Sequence, residues 1–257
     1  MLKEAADIVG SAARIILDHE ALRIEQKLGH MNFVTSVDSA VQEYLKDRLT
    51  ALIPGSAFIG EEKENRSLDD GPTWIVDPVD GTTNLIHDYR CSSISVALAE
   101  NKKPVLGVVC QPYSGEMFTA ETGKGAMLNG RPIHVSDVPF EKALIAVGTS
   151  PYNAELAEKS CRLAYRYLQS AADIRRSGSA AVDLAYVACG RIEAFFELLL
   201  HPWDYAAGAL LIAEAGGCFE MPFRECPDYG ATDAIIGVSA VCRDKMRGVF
   251  DEVCKTD

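Results

Sequence analysis

One stretch constrains this chain more than any other: Trp74-Ile75-Val76-Asp77-Pro78-Val79-Asp80-Gly81-Thr82-Thr83-Asn84. The apolar run Trp74–Val76 reads as a buried strand, and Pro78 fixes φ and withdraws an amide, which predicts that the strand stops there. Two carboxylates, Asp77 and Asp80, then stand three positions apart on what the spacing predicts to be a turn, with Gly-Thr-Thr opening a short helix at 83–88. Any fold must place these acids at the end of a buried element, where an isolated charge is costly. Paired carboxylates beside a helix start suit a hard divalent cation and a phosphate together. The pattern points to metal-dependent phosphate-ester chemistry; a helix-capping turn with Asp80 as a solvated cap is the plainer alternative.

Bulk composition narrows the field. The 257 residues suffice for one large domain or two packed lobes. The formal charge of −12 argues against a nucleic-acid partner, whose phosphates recruit Lys and Arg. It also disfavours free phosphate esters unless cations invert the local sign. The eight cysteines form no C-x-x-C pair and the five histidines do not cluster, so zinc and iron–sulfur sites are disfavoured. No window reaches the ~18 apolar residues of a membrane span, and the acidic start Met-Leu-Lys-Glu-Ala-Ala-Asp is unlike a secretory signal. The expectation is a cytoplasmic protein with neither membrane nor nucleic-acid partner.

Apolar periodicity predicts a helix over 3–28, with Ala5, Ile8, Val9, Ala12, Ile15 and Ile16 on one stripe and Gly29 ending it, and a second helix over 38–52. Short apolar runs follow at 57–59 and 74–76. Strands at 93–99, 105–110 and 117–120, with a hairpin signal at Asn129-Gly130, predict an antiparallel meander. Beyond Pro139 the pattern alternates: strand 144–147, helix 153–169, a strand near Ile174, helix 179–189, strand 192–197, helix 204–215, strand 235–238 and helix 240–253. That alternation predicts an α/β lobe over 141–257, packed on an α+β lobe over 1–140.

Further acids stand at element ends. Glu61-Glu62 follows the run Ala57–Gly60 and reads as a metal ligand or base, or as solvated surface. Asp38 opens a helix, and its spacing favours a first-turn cap over a place beside Thr82. Asp204 sits in Trp203-Asp204-Tyr205-Ala206-Ala207-Gly208 and reads as the cap of that helix; the small residues there permit close packing. Glu197 ends an aromatic-rich strand and suits either solvent or substrate hydroxyls. Arg175, Arg176 and Lys124 are basic residues that read as phosphate contacts or as surface charges.

Together these pieces resemble the inositol monophosphatase family, the lithium-sensitive, Mg²⁺-dependent phosphatase superfamily. Gly60-Glu61-Glu62 looks like its first acidic motif, Trp74–Asn84 like its D-P-x-D-G-T-T-N signature, and Trp203–Gly208 with Glu214-Ala215-Gly216-Gly217 like its W-D-x-A-A-G…E-A-G-G segment. Gly123-x-Gly125-Ala126…Asn129-Gly130 also matches. The resemblance implies a layered α-β-α-β-α sandwich of the inositol monophosphatase/fructose-1,6-bisphosphatase type and a homodimer. It implies a Mg²⁺-dependent phosphomonoester hydrolase that uses metal-activated water on inositol monophosphate or a related sugar or polyol phosphate, without a covalent intermediate. It assigns Glu61, Asp77 and the Val79 carbonyl to one ion, Asp77, Asp80 and Asp204 to a second, and Glu61 to a looser third. Asp38 and Thr82 would polarise the attacking water, with Glu61 also catalytic. Asp80, Gly81 and Thr82 would meet the phosphate, and Ser179, Ala180 and Glu197 the polyol. Leu85 and Arg90 depart from the family pattern, which places an aromatic and a Pro there; His87 is kept. Thr83, where nucleotide-bisphosphate relatives tend to carry Lys, favours the inositol or fructose-1,6-bisphosphate side. Alternatives are fructose-1,6-bisphosphatase, an NADP phosphatase, an aspartyl-phosphate enzyme with altered spacing, and a phosphate- or polyol-binding regulatory module.

Overall fold

A computed structural model of the chain describes residues 1–18, 23–26, 33–62 and 67–254. Among them the helices are α1 (Leu2–Leu17), α2 (Ser36–Leu52), α3 (Thr82–Ile86), α4 (Ala154–Leu168), α5 (Ala180–Ala188), α6 (Pro202–Glu214) and α7 (Arg243–Cys254). The strands are β1 (Ile24–Gln26), β2 (Phe33–Thr35), β3 (Ala57–Gly60), β4 (Thr73–Asp80), β5 (Ser93–Glu100), β6 (Lys103–Gln111), β7 (Glu116–Glu121), β8 (Ala126–Leu128), β9 (Arg131–Ile133), β10 (Leu144–Val147), β11 (Asp173–Arg175), β12 (Ala194–Leu200), β13 (Cys218–Glu220) and β14 (Asp233–Val238).

Strands β3 to β9 form one sheet in sequence order. β3 pairs parallel with β4, and every later neighbour pair is antiparallel, as the meander pattern implied. The second sheet runs β11-β10-β12-β14-β13, parallel on one side of β12 and antiparallel on the other. Helices α1 and α2 cover the outer face of the first sheet, α5 and α6 lie between the sheets, and α4 and α7 cover the second. The layering is α-β-α-β-α, as expected.

Strand alternation explains the layers. On β5, Ile94, Val96 and Leu98 point outward to α1 and α2, while Ala97 and Ala99 point inward to α5 and α6. Around Ala97, Ala99 and Gly107 the inward face is small because α6 lies close: a Cβ on Gly107 would stand 2.9 Å from the Ala207 carbonyl oxygen. The small stripe on α6 meets α5 in the same way, since a Cβ on Gly208 would stand 2.6 Å from Leu184 Cβ.

Three expectations need correction. The helix predicted over 3–28 ends at Leu17, and Ile24–Gln26 is a strand paired antiparallel with Phe33–Thr35. Apolar spacing continues through 17–28, but local strand pairing overrides it. Gly29 lies outside the described residues. The turn predicted after Asp77 is instead a strand that continues to Asp80 through a bulge, and the helix predicted at 83–88 begins at Thr82 and ends at Ile86. The short edge strand β13 had no apolar run to announce it. Among the described residues, no helix is long and apolar enough to cross a membrane.

Candidate active site

The bulge in β4 decides where the signature acids point. In a regular strand, residues three apart face opposite sides. Here Asp77 pairs with Ser95 and Asp80 with Ser93, so three steps on β4 match two on β5. The extra residue resets the alternation. Val79 therefore turns outward into the α1/α2 core, while Asp77 and Asp80 both face the inner layer and line one cavity. Pro78 is tolerated there because an unpaired bulge position needs no amide donor.

Glu61 reaches the same side by the same rule. Ile59 faces the inner core and Phe58 the outer one, so Glu61, just past the end of β3, continues the inner row. Gln42 of α2 pins this turn: its Oε1 accepts from Glu62 N at 2.9 Å, and its Nε2 donates to the Glu62 carbonyl. Gly60 leaves room for this clasp, since a Cβ there would stand 2.6 Å from Gln42 Oε1 and push the side chain aside.

Asp38 serves two purposes. It completes a capping box, accepting from Thr35 N at 3.0 Å while Thr35 Oγ1 accepts from Asp38 N at 3.4 Å. Its other oxygen, Oδ1, lies 2.8 Å from Thr82 Oγ1, which also lies 3.0 Å from the Val79 carbonyl. The Asp38 carboxyl is buried, which raises its pKa, while the bonds from Thr35 and Thr82 oppose the rise. Asp38 does not itself line the cavity, but Thr82 does.

The second sheet and its helices supply the rest. Asp204, in the first turn of α6, accepts from His201 N at 2.7 Å and lines the cavity, so it caps its helix and faces the other acids at once. Glu197 shares the inward face of β12 with Phe195. Its Oε1 accepts from Ser150 N at 2.8 Å, and burial raises its carboxyl to about 7. Ser179 Oγ donates to Asp80 Oδ2 at 2.5 Å and Ala181 N to the same oxygen at 2.7 Å, so Asp80 also caps α5 from a distant part of the chain.

Glu61, Asp77, Val79, Asp80, Gly81, Thr82, Ser179, Ala180, Glu197 and Asp204 thus line a single cavity of about 860 Å³. Burial pushes the Asp77 carboxyl well above the carboxylate range, and Glu61, Asp80, Asp204 and Asp38 push it further. Asp204 is raised by burial and by Asp80, and Asp80 by burial against the bonds that hold it. Such mutual repulsion is what a cation relieves. Among the described residues, no three Asp, Glu, His or Cys side chains close on a single point as a ready cage. Asp77, Asp80 and Asp204 each commit an oxygen to a protein donor instead. A small hard cation held by one or two carboxylates, with water and substrate phosphate completing its shell, fits this donor set.

Three participants escaped the sequence reading. Asn84 Nδ2 donates to the carbonyls of Cys91 and Ser177, tying the signature loop to the approach to α5. Asp183, buried in α5, lines the cavity; burial raises its carboxyl to about 8 against the bond from Ser177. A lone acid in the apolar run Ala180–Ala188 was the available signal. His201 stacks on Trp203 with ring centroids 4.7 Å apart. Of the three basic candidates, Arg176 lines the cavity, with Nε 3.2 Å from Thr149 Oγ1, whereas Arg175 pairs with Asp173 and Lys124 with Glu121 on the surface. Arg90, where the family pattern has Pro, sits at φ +59°, a conformation closed to proline, and pairs with Asp88.

A layered sandwich enclosing an acidic cavity matches known proteins throughout. The model of the inositol monophosphatase family matches residues 1–249. Inositol monophosphatase 2 of Solanum lycopersicum is 41% identical over 84% of this chain and 86% of its own. The Nus factor SuhB of Escherichia coli K12 is 39% identical over 91% and 88%. The solved structure of the Thermotoga maritima IMPase superposes with a TM-score of 0.90 at 29% identity, covering 99% of this chain and 98% of that one. The suhB protein of Bartonella henselae gives 0.88 at 31%, covering 96% of each. The class is a phosphoric monoester hydrolase. The chain belongs to the inositol monophosphatase family.

Proposed function

We propose that this hydrolase is Mg²⁺-dependent and cleaves inositol monophosphate or a related sugar or polyol phosphate by direct attack of water, with no covalent intermediate. The observation that carries the reading is the meeting, in one cavity, of Glu61, Asp77 and Asp80 from the first sheet with Asp204 and Glu197 from the second half of the chain. Glu61, Asp77, the Val79 carbonyl, Asp80 and Asp204 would hold two or three ions. Cations there would neutralise the phosphate charge and acidify water. The Asp38–Thr82 pair orients the attacking water through the Thr82 hydroxyl. The amides of Gly81 and Thr82 receive phosphate oxygens. Glu197 and the segment Ser179-Ala180 receive polyol hydroxyls. Catalysis by the chain itself is then positioning and charge complementarity.

We further propose two lobes, 1–140 and 141–257, that complete the site between them, and a cytoplasmic homodimer. A panel of inositol phosphates, fructose 1,6-bisphosphate, other sugar phosphates and NADP, assayed for phosphate release with and without Mg²⁺, tests the reading. Release of equal rate in EDTA, or from none of these esters, would overturn it. A second, regulatory role alongside catalysis is favoured by the similarity to proteins named Nus factor SuhB. Its test is whether a catalytically dead variant still rescues a strain lacking the gene.

A further inference from the structure

We propose that Asp183 is a positioning residue for this hydrolase: through Ser177 it sets the turn that presents Ser179 and Ala181 to the Asp80 carboxylate. The inference rests on the reading of Asp80 as a cation and substrate ligand. Asp183 is 4% exposed and stands in an otherwise apolar helix, where a carboxyl without a partner would be strongly disfavoured. Its Oδ2 lies 2.7 Å from Ser177 Oγ.

Ser177 is the node of a continuous chain of bonds. Its Oγ accepts from Ser179 N at 3.0 Å, and its carbonyl accepts from Asn84 Nδ2 at 2.9 Å. The next link is Ser179 Oγ, which donates to Asp80 Oδ2, where Ala181 N also donates. Ser179 Oγ and Ala181 N, which make the two shortest bonds to this Asp80 oxygen, therefore hang on residues 177–181, and Ser93 Oγ of β5 adds a longer one at 3.4 Å. The turn passes through Gly178 at φ +84°, a residue with little conformational preference of its own. Asn84 pins the turn from the signature side, and Asp183 pins it from α5. Partners behind a ligating carboxylate orient it and tune its affinity. Burial raises the Asp183 carboxyl to about 8, and Asn, of the same shape, can accept from Ser177 Oγ in its place.

The test compares Asp183→Ala, Asp183→Asn and Ser177→Ala with the unaltered chain. Three quantities are read: the Mg²⁺ isotherm without substrate, the melting temperature in EDTA, and kcat and KM for phosphate release. Asp183→Ala and Ser177→Ala should weaken Mg²⁺ binding and lower kcat by about 10–100-fold, the usual cost of losing a partner behind a metal ligand. KM for the ester should rise as well, because the same turn carries Ser179 and Ala180, and Asp183→Asn should restore affinity, kcat and KM. A purely structural role would lower the melting temperature while leaving the isotherm of the folded variant unchanged, and that result would overturn the proposal. So would Asp183→Asn behaving as badly as Asp183→Ala. If Asp183→Ala does not fold, Ser177→Ala, which keeps every apolar contact of α5, decides alone. An unaltered chain that binds Mg²⁺ yet releases no phosphate would sink the functional reading, while the isotherms would still judge this link.

Discussion

Replacing Gly148 by Ala probes the polyol end of the cavity through a single methyl group. Gly148 follows β10, and its amide donates to the Phe196 carbonyl at 2.7 Å, so the backbone cannot drift freely. An added Cβ would stand 2.1 Å from Glu197 Oε2, 2.2 Å from its Cδ and 2.6 Å from its Cβ. The carboxylate could swing away, but the Glu197 Cβ is fixed by its strand, so the backbone must also give. Overpacking of this kind costs roughly 1–3 kcal/mol, and a chain of this size loses about 2–4 °C per kcal/mol. Melting should therefore fall by roughly 2–12 °C. The displaced carboxylate also loses its bond from Ser150 N and its proposed contact with substrate. A hydrogen bond to a charged group contributes about 1.5–3 kcal/mol, or roughly 10–150-fold in kcat/KM. Melting curves and steady-state phosphate release measure both effects. Two controls separate them. Gly208→Ala, whose Cβ would meet Leu184 away from the cavity, should lower melting with kcat/KM nearly intact, and Glu197→Gln should do the reverse. A Gly148→Ala chain with unchanged melting and unchanged kcat/KM would refute the placement of Glu197.

Asp80→Asn should cut phosphate release by about two orders of magnitude or more with an unaltered circular-dichroism spectrum; near-normal turnover with intact metal binding would count against the assignment. In EDTA, stability should fall as pH rises. Glu197 and Asp183 are raised to about 7 and about 8, so the folded state keeps protons that the unfolded chain sheds above its ordinary carboxylate pKa. The loss accumulates between about pH 4 and pH 8, at most about 1.4 kcal/mol per pH unit for each group still titrating, and Mg²⁺ should flatten it; melting independent of pH in EDTA would be the contrary result. Arg176→Ala should raise KM for esters carrying a second phosphate while sparing monophosphates, since Arg176 brings a guanidinium to the cavity wall; equal effects on both would remove it from substrate selection. Li⁺ should inhibit release, and a flat titration would weaken the proposed cation sites.

Much of the site was legible before any coordinates. The signature from Trp74 to Asn84 stands out by two carboxylates at the end of an apolar run, whereas Glu61 and Asp204 read by themselves as solvated surface and as a helix cap, and the family resemblance is what drew them to the cavity. Asp38 was harder, because spacing shows only a first-turn acid. Its capping bond to Thr35 and its bond to Thr82 use different oxygens, and the second links residues 44 positions apart in the chain. Asn84 was missed because Ser177, 93 positions on, comes close only when the signature loop meets the approach to α5. Asp183 was missed although its partner Ser177 is six residues away, because the run Ala180–Ala188 reads only as an apolar helix. In the fold, the meander and the later alternation follow from local periodicity, whereas the early helix was overestimated because β1 finds a partner that no helical pattern reveals.

Residue types and spacings alone showed acids gathered at element ends, small residues suited to close helix packing and a proline at the end of a buried apolar run. They could not settle which way those acids face. Two aspartates three apart belong on opposite sides of a regular strand, and only the bulge against Ser93 and Ser95 turns both inward. The pairing of β4 with β5, not the order of residues along β4, makes that choice, because alternation is a local property and register is a relation between strands.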